Sequence, residues 1–401
     1  MRNLEESLFW EILYRRQVVR SELSRLFDVS AATISRSAGV LLAKHLIVET
    51  GATKASRGRR PALLQLNPEL AYLAGIEIDR DRITAVVTDM AGNLRGRGAL
   101  AASARNPVGK TLRDCRKAMR IALSDAGGVD IARVGVGLGG TLDVEHGVCV
   151  EWEGVPHWRS VNLLDALRET FDKDITLDDR ARAVALAQHL LWPDNRRHRS
   201  AIYVQIGTGI GAGIFVDGRM WRGATLAGGE IGHIVIDRNG PLCACGRRGC
   251  VEAFASLGAT MMRVRQGLEK GVKTVLGDLV RTPAQLSLEL IVSAARQGDP
   301  LARTAVTEAG EALGIGIANS VQLLNPSLVV LAGKFANAAS DFFLEAVTKA
   351  VHDQCFATIA RGLEIRVAPF RKDAAPVGCA LLASLDVAKG FIQRALFVPA
   401  S

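Results

Sequence analysis

The sequence predicts a small helical module with a β-hairpin, followed by an α/β body of two similar lobes. Three observations support this fold. The 401 residues suffice for about two to three domains. Residues 1–61 contain 11 Lys and Arg against 6 Asp and Glu, whereas the rest contain 39 against 35. A strand-turn-strand pattern occurs twice, 128 positions apart.

The composition excludes several classes of protein. Apolar residues make up 48% and charged residues 23%, which is ordinary for a globular protein and unlike a disordered, collagen-like or coiled-coil chain. No uninterrupted apolar run approaches the roughly 18 residues that span a bilayer, and the first residues lack the apolar core of a signal peptide. We therefore expect a cytoplasmic protein without membrane insertion.

The first 66 residues have the layout of a winged helix-turn-helix. A first helix is indicated by Leu8, Phe9, Ile12 and Leu13. A second is expected from Ser21 to Phe27, with Ser21 as N-cap and Leu23 and Leu26 facing inward. Ser30 can cap a third helix, which buries Ile34, Leu41 and Leu42. Strands over residues 46–49 and 62–66 complete the hairpin.

A basic N-terminal module of this kind predicts DNA binding. The residues expected to contact DNA are Thr33, Ser35 and Arg36 on the third helix, and Arg57, Arg59 and Arg60 on the hairpin tip. Small and hydroxyl side chains allow the third helix close to base edges, and arginines on a Gly-containing arm suit a narrow minor groove. The alternatives are a mobile linker at the tip and a three-helix module that contacts protein.

The repeated pattern places two hairpins in equivalent positions. Gly75–Asp89 forms the first, and Gln205–Asp217 forms the second, with Gly207 and Gly209 where Asp79 and Asp81 stand. A duplication of this kind predicts a two-lobed α/β fold of the sugar-kinase or actin-like (ribonuclease H-like) class. The expected domains are residues 1–70, 71–190 and 191–401.

Several segments form a recognisable signature. They are the glycine-rich stretch 207–213, Gly229-Glu230-Ile231-Gly232-His233, the cysteine segment 243–252, and the later segments 313–319, 324–326 and 329–333. Together they resemble the ROK family of repressors and sugar kinases. With the N-terminal module, the resemblance covers nearly the whole chain. It implies a repressor that binds an operator as a homodimer or homotetramer and responds to a sugar.

One imidazole and three thiolates lie close together in the sequence, at His233, Cys243, Cys245 and Cys250. This is a closed tetrahedral set that favours structural Zn²⁺ and leaves no position for a catalytic water. The alternatives are free or bridged thiols, and a reducing cytosol and a strained Cys-x-Cys bridge disfavour the latter.

Two features indicate that the chain is not an enzyme. In the family's kinases the first hairpin turn resembles Asp-x-Gly-Gly-Thr, whereas this chain has Glu77-Ile78-Asp79-Arg80-Asp81. The catalytic base of those kinases follows an Asn-Asp pair that falls on Asp179-Arg180 here, and Arg cannot accept a proton. A one-residue slip would restore Asp179 as the base.

The resemblance also implies a sugar site, with candidate residues Asp179, Arg180, Glu230, His233 and Glu252. Glu230 and Glu252 can each accept hydroxyl donors, or they can support the metal ligands instead. Arg180 can bind an anionic sugar, or it can pair with Asp178 or Asp179. The segment Gly154-Val155-Pro156-His157-Trp158 departs from the family's Asn-Leu-Pro-Gly-Trp, so the identity of the sugar is not transferable.

The sequence therefore predicts a sugar-responsive transcriptional regulator with a degenerate kinase-like effector domain. Its partners would be double-stranded operator DNA and a sugar or sugar-derived inducer. One alternative is an ATP-dependent hexose or N-acetylhexosamine kinase with a fused DNA-binding domain. A further alternative is a DNA-binding protein that does not respond to sugar.

Overall fold

The computed structural model describes residues 3–51, 62–103, 105–152, 155–280, 282, 285–369 and 371–397. The chain divides into two compact units. The first unit is Met1–Arg197 with Asp373–Ser401, and the second unit is His198–Lys372. This differs from the predicted boundaries in two ways. The N-terminal module belongs to the same compact unit as the first lobe, and the C-terminal helix returns to that unit because it packs on the first lobe's sheet.

Three helices and a small sheet form the N-terminal module. They are α1 (Leu4–Arg15), β1 (Val18–Val19), α2 (Arg20–Phe27), α3 (Ala31–Ala43), β2 (Ile47–Thr50) and β3 (Leu63–Leu66). Strand β3 lies between β1 and β2 and is antiparallel to both. Helices α2 and α3 meet at 114°, an angle typical of helix-turn-helix motifs.

The caps and core of this module agree in part with expectation. Ser30 caps α3 by accepting a hydrogen bond from the Thr33 backbone N–H at 3.1 Å. Two predictions for α2 are wrong. The helix begins at Arg20, so Ser21 is not its N-cap. Leu23 is buried, but Leu26 is 41% exposed because this short helix turns only one narrow face inward.

The first lobe is built on a five-stranded sheet with the order β11-β7-β4-β5-β6. Its elements are β4 (Tyr72–Ile78), β5 (Arg82–Asp89), β6 (Leu94–Ala101), α4 (Val108–Asp125), β7 (Ile131–Leu138), β8 (Thr141–Asp143), β9 (Val148–Glu151), β10 (Val161–Asn162), α5 (Leu163–Phe171), β11 (Ile175–Asp179), α6 (Arg180–Leu191) and α7 (Pro193–Arg196). Strands β8, β9 and β10 form a separate small sheet.

The second unit repeats this sheet, with the order β16-β15-β12-β13-β14. Its elements are β12 (Ala201–Ile206), β13 (Ile210–Val216), β14 (Arg219–Trp221), α8 (Val251–Ala255), α9 (Leu257–Glu269), α10 (Leu276–Leu279), α11 (Leu288–Arg296), α12 (Pro300–Leu324), β15 (Leu328–Ala332), α13 (Lys334–Ala338), α14 (Ser340–Gln354), α15 (Ala357–Ala360) and β16 (Glu364–Val367). In chain order, the first three strands of each sheet pair antiparallel with one another, and the last two strands add to the sheet by parallel pairing. The predicted duplication is therefore present in the topology.

The last helix, α16 (Ala374–Phe397), packs on the first lobe's sheet and on α6. Two glycines of that sheet permit the close approach. A Cβ on Gly75 would lie 1.9 Å from the Pro376 carbonyl oxygen, and one on Gly135 would lie 1.9 Å from that of Cys379. Buried residues of α16 also share one hydrophobic core with the N-terminal module.

Residues Ala374–Leu396 of α16 are long and apolar enough to cross a membrane, with a mean hydropathy of 1.5. Asp386 and Lys389 interrupt this segment, so it contains no uninterrupted apolar run of bilayer length. In the structure, 67% of the apolar window is buried inside the protein. A core helix of a soluble protein has the same composition, so its place against the sheet accounts for its hydropathy.

Candidate functional site

The predicted DNA-contacting residues of α3 differ in exposure. Ser35 and Arg36 are exposed, as are Ala31 and Ala32 before them. Thr33 is partly buried, and its Oγ1 lies 2.9 Å from the Ser30 Oγ, so its hydroxyl belongs to the helix cap. Arg57, Arg59 and Arg60 lie outside the described residues. The described part of α3 therefore presents a surface of small residues that carries a single arginine.

The four predicted metal ligands come together in the second unit. One ligand atom each from His233, Cys243, Cys245 and Cys250 lies within 4.8 Å of all the others. The Cys243 Sγ is 3.7 Å from the His233 Nδ1, and the Cys245 Sγ is 3.7 Å from the Cys250 Sγ. Tetrahedral Zn²⁺ with bonds of about 2.0–2.3 Å separates its ligand atoms by roughly 3.6–3.8 Å. The donor set and its spacing thus fit a tetrahedral metal.

Local backbone bonds hold this loop in place. The Cys243 N–H donates to the Arg247 carbonyl at 2.8 Å, and the Gly246 N–H donates to that of Cys243 at 3.0 Å. Gly249 has a φ of +73°, and a Cβ there would lie 1.5 Å from the Asp237 carbonyl oxygen. Only glycine fits this position, where the chain turns toward Cys250 at the start of α8.

Glu252 joins the metal cluster to the glycine-rich turn of the second unit. Its Oε2 accepts a hydrogen bond from the Ile210 N–H at 2.8 Å, and its Oε1 lies 3.9 Å from the Cys243 Sγ. Glu230, by contrast, is exposed just before the short 3-10 turn that ends at His233. Of the three sugar candidates in this unit, His233 and Glu252 lie at the metal cluster and Glu230 faces solvent.

Asp179 and Arg180, the other two sugar candidates, lie in the first unit where β11 ends and α6 begins. Arg180 pairs with two carboxylates, one near the end of β4 and one in the β4–β5 turn. Its Nη1 is 2.7 Å from an Asp79 carboxylate oxygen and 3.7 Å from one of Glu77. The expected partners were Asp178 or Asp179. Asp178 is instead fully buried against Arg182, at 2.6 Å.

Asp179 serves its own helix. Its Oδ1 accepts hydrogen bonds from the Ala181 N–H at 2.7 Å and the Arg182 N–H at 3.3 Å, which makes it the N-cap of α6. Burial raises its pKa in spite of these bonds and of nearby Arg182. A carboxylate committed to a helix cap is poorly placed to take a proton from a substrate hydroxyl.

Charge and burial compete at Glu77 and Arg180. Burial raises the pKa of Glu77 to about 7, although Arg180 acts against that shift. Burial opposes the charge on Arg180, but Asp79 and Glu77 outweigh it and raise the pKa of Arg180. The three side chains thus form one partly buried cluster with two acidic groups and one cation.

Sequence reasoning missed Glu77 and Asp79 as partners of Arg180. The signal was available, because β4, β7 and β11 are neighbouring parallel strands whose carboxyl ends meet at one edge of the sheet. An arginine after β11 and carboxylates after β4 therefore lie near one another. Position along the chain alone favours the nearby Asp178 and Asp179 as ion-pair partners of Arg180.

Comparison with known proteins shows which family the chain belongs to. A protein-family model described as "ROK family" matches residues 73–385 of the sequence. The chain belongs to the ROK family. It is 30% identical over 382 residues to a putative xylose repressor from Caldicellulosiruptor sp. (strain Rt8B.4), which is 94% of both sequences.

Two solved structures show the same fold. A ROK family transcriptional regulator, described as a homologue of the E. coli MLC protein, aligns with 94% of both chains at 26% identity and a TM-score of 0.74. A ROK hexokinase from Thermus thermophilus aligns over its entire length at 28% identity and a TM-score of 0.65, but it covers only 80% of this chain. The body of this ROK protein thus has the two-lobed sugar-kinase fold.

Proposed function

We propose that this ROK protein is a sugar-responsive transcriptional repressor that binds DNA through its N-terminal module. The observation that carries the proposal is the extent of the matches. A repressor sequence and a regulator structure match 94% of the chain, whereas the hexokinase is matched whole and leaves a fifth of the chain unmatched. The protein is a repressor of carbohydrate genes, not a kinase with an appended domain.

The N-terminal module supports DNA recognition by its shape and charge. Helix α3 follows α2 at 114° and exposes Ser35 and Arg36 near its N-terminus, where a recognition helix contacts base edges. Arg57, Arg59 and Arg60 supply positive charge between β2 and β3, suited to phosphates or a minor groove. Thr33 contributes through the helix cap. The operator is double-stranded, and a homodimer or homotetramer reads its two halves.

The Arg180 cluster supports the loss of kinase activity. ATP phosphates need a cradle of backbone N–H groups, and the sugar needs a carboxylate base. Here the end of β4 and the β4–β5 turn present Glu77 and Asp79, and Arg180 is held by both. Phosphate would meet two carboxylates whose only cation within this cluster is already paired.

The same cluster favours a neutral sugar as the inducer. Arg180 would have to leave two carboxylates to bind a sugar acid or phosphate, and the released acids would repel that ligand. The xylose repressors among the relatives suggest a neutral pentose as the first compound to try. Asp179 remains a proposed contact of the sugar in the first unit, where Arg180 holds Asp79 and Glu77. Glu230, His233 and Glu252 remain proposed contacts in the second unit.

The cluster of His233, Cys243, Cys245 and Cys250 is proposed to hold a structural Zn²⁺. Three thiolates and one imidazole are its preferred donors, and all four positions are filled by the protein. Its task would be to fix the loop before α8 and, through Glu252, the turn before β13. A cytoplasmic location agrees with a DNA-binding role and with free thiols among the described cysteines.

The test begins with duplexes that the full-length protein selects from random-sequence DNA. Arg36→Ala and the double variant Arg59→Ala/Arg60→Ala should each weaken binding. The double variant should also lower the salt slope by about one unit for each phosphate that the protein no longer neutralises. Arg361→Ala, which removes an exposed arginine of the second unit, is the matched control. If neither module variant affects binding, the module does not contact DNA.

A further inference from the structure

Two buried nitrogens of Arg16 lack partners at the end of α1. Its Nε and Nη2 atoms are buried and have no hydrogen-bond partner among the described residues. A buried donor that stays unpaired destabilises the folded state, and the effect is larger here because the guanidinium is charged. The residue as a whole is partly exposed, so its side chain lies at the boundary between the interior and the surface.

The backbone at Arg16 is strained in a specific way. Its φ is +66° and its ψ is −49°, and the Gln17 N–H donates to the Arg15 carbonyl at 2.7 Å. These values describe a γ-turn of the rare, positive-φ type. Strain of this kind persists only where the surroundings enforce it, and it is concentrated at ligand clamps and switch regions.

Asp89 attracts Arg16 but cannot balance its charge. Asp89, at the end of β5, already accepts four hydrogen bonds, from the backbone N–H groups of Ala91 and Asn93 and from the side chains of Asn93 and Arg95. Its charge is paired with Arg95 at 2.9 Å. The acceptor capacity of Asp89 is therefore filled by groups other than Arg16.

A second cation increases the imbalance. Burial and the neighbouring Arg196 of α7 lower the pKa of Arg16 to about 10, against the attraction of Asp89. Arg196 donates one Nη1 hydrogen bond to the Leu190 carbonyl at 3.2 Å, which satisfies a donor but supplies no counter-charge. With a pKa of about 10, Arg16 remains cationic at neutral pH.

We propose that Arg16 and Arg196 bind a small oxyanion where α1 of the N-terminal module meets the first lobe. A guanidinium presents two parallel N–H donors that match two oxygens of a phosphate or carboxylate. A chloride ion has a single acceptor atom and cannot make this bidentate contact. The ion would supply the acceptors that Nε and Nη2 lack and the charge that Asp89 does not provide. Binding would therefore strengthen the attachment of the N-terminal module to the body.

The experiment uses the full chain and inorganic phosphate as the probe. Thermal unfolding is measured in phosphate and in sodium chloride at the same ionic strength and pH. We expect phosphate to raise the Tm by about 3–6 °C at tenfold excess over its Kd. In Arg16→Met this rise should disappear, while Arg15→Met, whose arginine pairs with Glu11 instead, should retain it.

Arg196→Met provides a second variant, which leaves Arg16 and its γ-turn in place. It should reduce the phosphate-dependent rise in Tm. Isothermal titration with phosphate should show one site per chain in wild type and none in Arg16→Met. The proposal is overturned if phosphate and chloride give equal Tm values for wild type. It is equally overturned if the phosphate effect persists in both Arg16→Met and Arg196→Met, since the ion then binds elsewhere on this basic protein.

Discussion

The two lobes close their first hairpins with different chemistry on the same topology. In the first unit, four residues separate the paired Ile78 and Ile83, and Arg180 holds the turn through Asp79 and Glu77. In the second unit, three residues separate Ile206 and Ile210, the turn is rich in glycine, and Glu252 accepts the Ile210 N–H. One turn is stabilised by ion pairs and the other by hydrogen bonds beside the four residues that can hold a metal.

This difference shows that a duplicated fold can keep its sheet while its turns differ in chemistry. The sheet orders and strand directions are equal in both lobes, so the frame depends on the buried strands and not on the turns. A glycine-rich turn offers exposed backbone N–H groups, whereas the charged turn presents carboxylates. The ion pairs of the first hairpin connect it to Arg180, the first residue of α6.

The largest expected effect concerns the second turn and its metal. Cys245→Ser should lower the free energy of unfolding by more than about 3 kcal/mol, because a structural zinc couples its binding energy to folding. Metal analysis should find one zinc per wild-type chain and less in the variant. Cys355→Ser, outside the cluster, should keep the metal. A wild-type protein purified without chelators and free of zinc would contradict this account.

The next effect concerns the first turn. Arg180→Met should destabilise the protein by about 2–3 kcal/mol at pH 7.5, because it leaves two adjacent carboxylates without their cation. Arg168→Met removes an arginine whose pair with Asp165 is exposed, and it should cost less than about 1 kcal/mol. Urea unfolding compares the two variants. Equal losses would show that Arg180 does not hold the turn.

The pH dependence separates the two carboxylates of this turn. The pKa of Glu77 is raised from 4.5 to about 7, so the folded state binds its proton more tightly than the unfolded state does. Stability from this group is therefore full below about pH 4.5 and falls as the pH rises toward 7, by on the order of 3 kcal/mol. Glu77→Gln should remove this fall, which unfolding at several pH values measures.

Asp79→Asn is the matched variant for that experiment. It removes the closer partner of Arg180 and should therefore destabilise the protein at neutral pH. Glu77→Gln should have the opposite effect at neutral pH, because it removes the loss of stability that ionisation of Glu77 causes. If both variants change stability in the same direction, the two carboxylates do not have separate roles.

The smallest effect compares equivalent positions of the two turns. A Cβ on Gly209 would lie 2.9 Å from the Glu252 Oε2, the end of a flexible side chain, so Gly209→Ala should cost about 1 kcal/mol or less. Asp81→Ala, at the equivalent exposed position of the first turn, should change stability by less than about 0.5 kcal/mol. A larger loss from Asp81→Ala would give Asp81 a role in the first turn beyond that of the Arg180 ion pairs.

Local patterns made much of this structure predictable. The caps and hydrophobic spacing of α1 and α3, the 128-residue repeat and the metal ligands all depend on residues close in the sequence or on a repeated signal. The two-residue strand β1 carries too little periodicity to be recognised, and Ser21 resembled a cap because the actual N-cap residue, Val19, has no capping side chain.

Tertiary contacts account for the remaining errors. The return of α16 to the first unit follows from Gly75 and Gly135, whose missing side chains make room for a helix that begins about 240 to 300 residues later. The pairs of Arg180 with Glu77 and Asp79 span about a hundred residues. Hydrophobic periodicity identifies only neighbours that are close in the sequence. Contacts between distant residues can be predicted only once the order of the strands in the sheet is known.

The most direct measurement is one titration in which operator binding and sugar phosphorylation are followed in the same sample. Full-length protein on a selected duplex is titrated with D-xylose, and then with other neutral sugars, in the presence of Mg²⁺ and ATP. We predict that at least one neutral sugar weakens DNA binding tenfold or more while no ADP forms. Sugar-dependent formation of ADP, or DNA binding unaffected by every sugar tried, would contradict a sugar-responsive repressor with an inactive kinase fold.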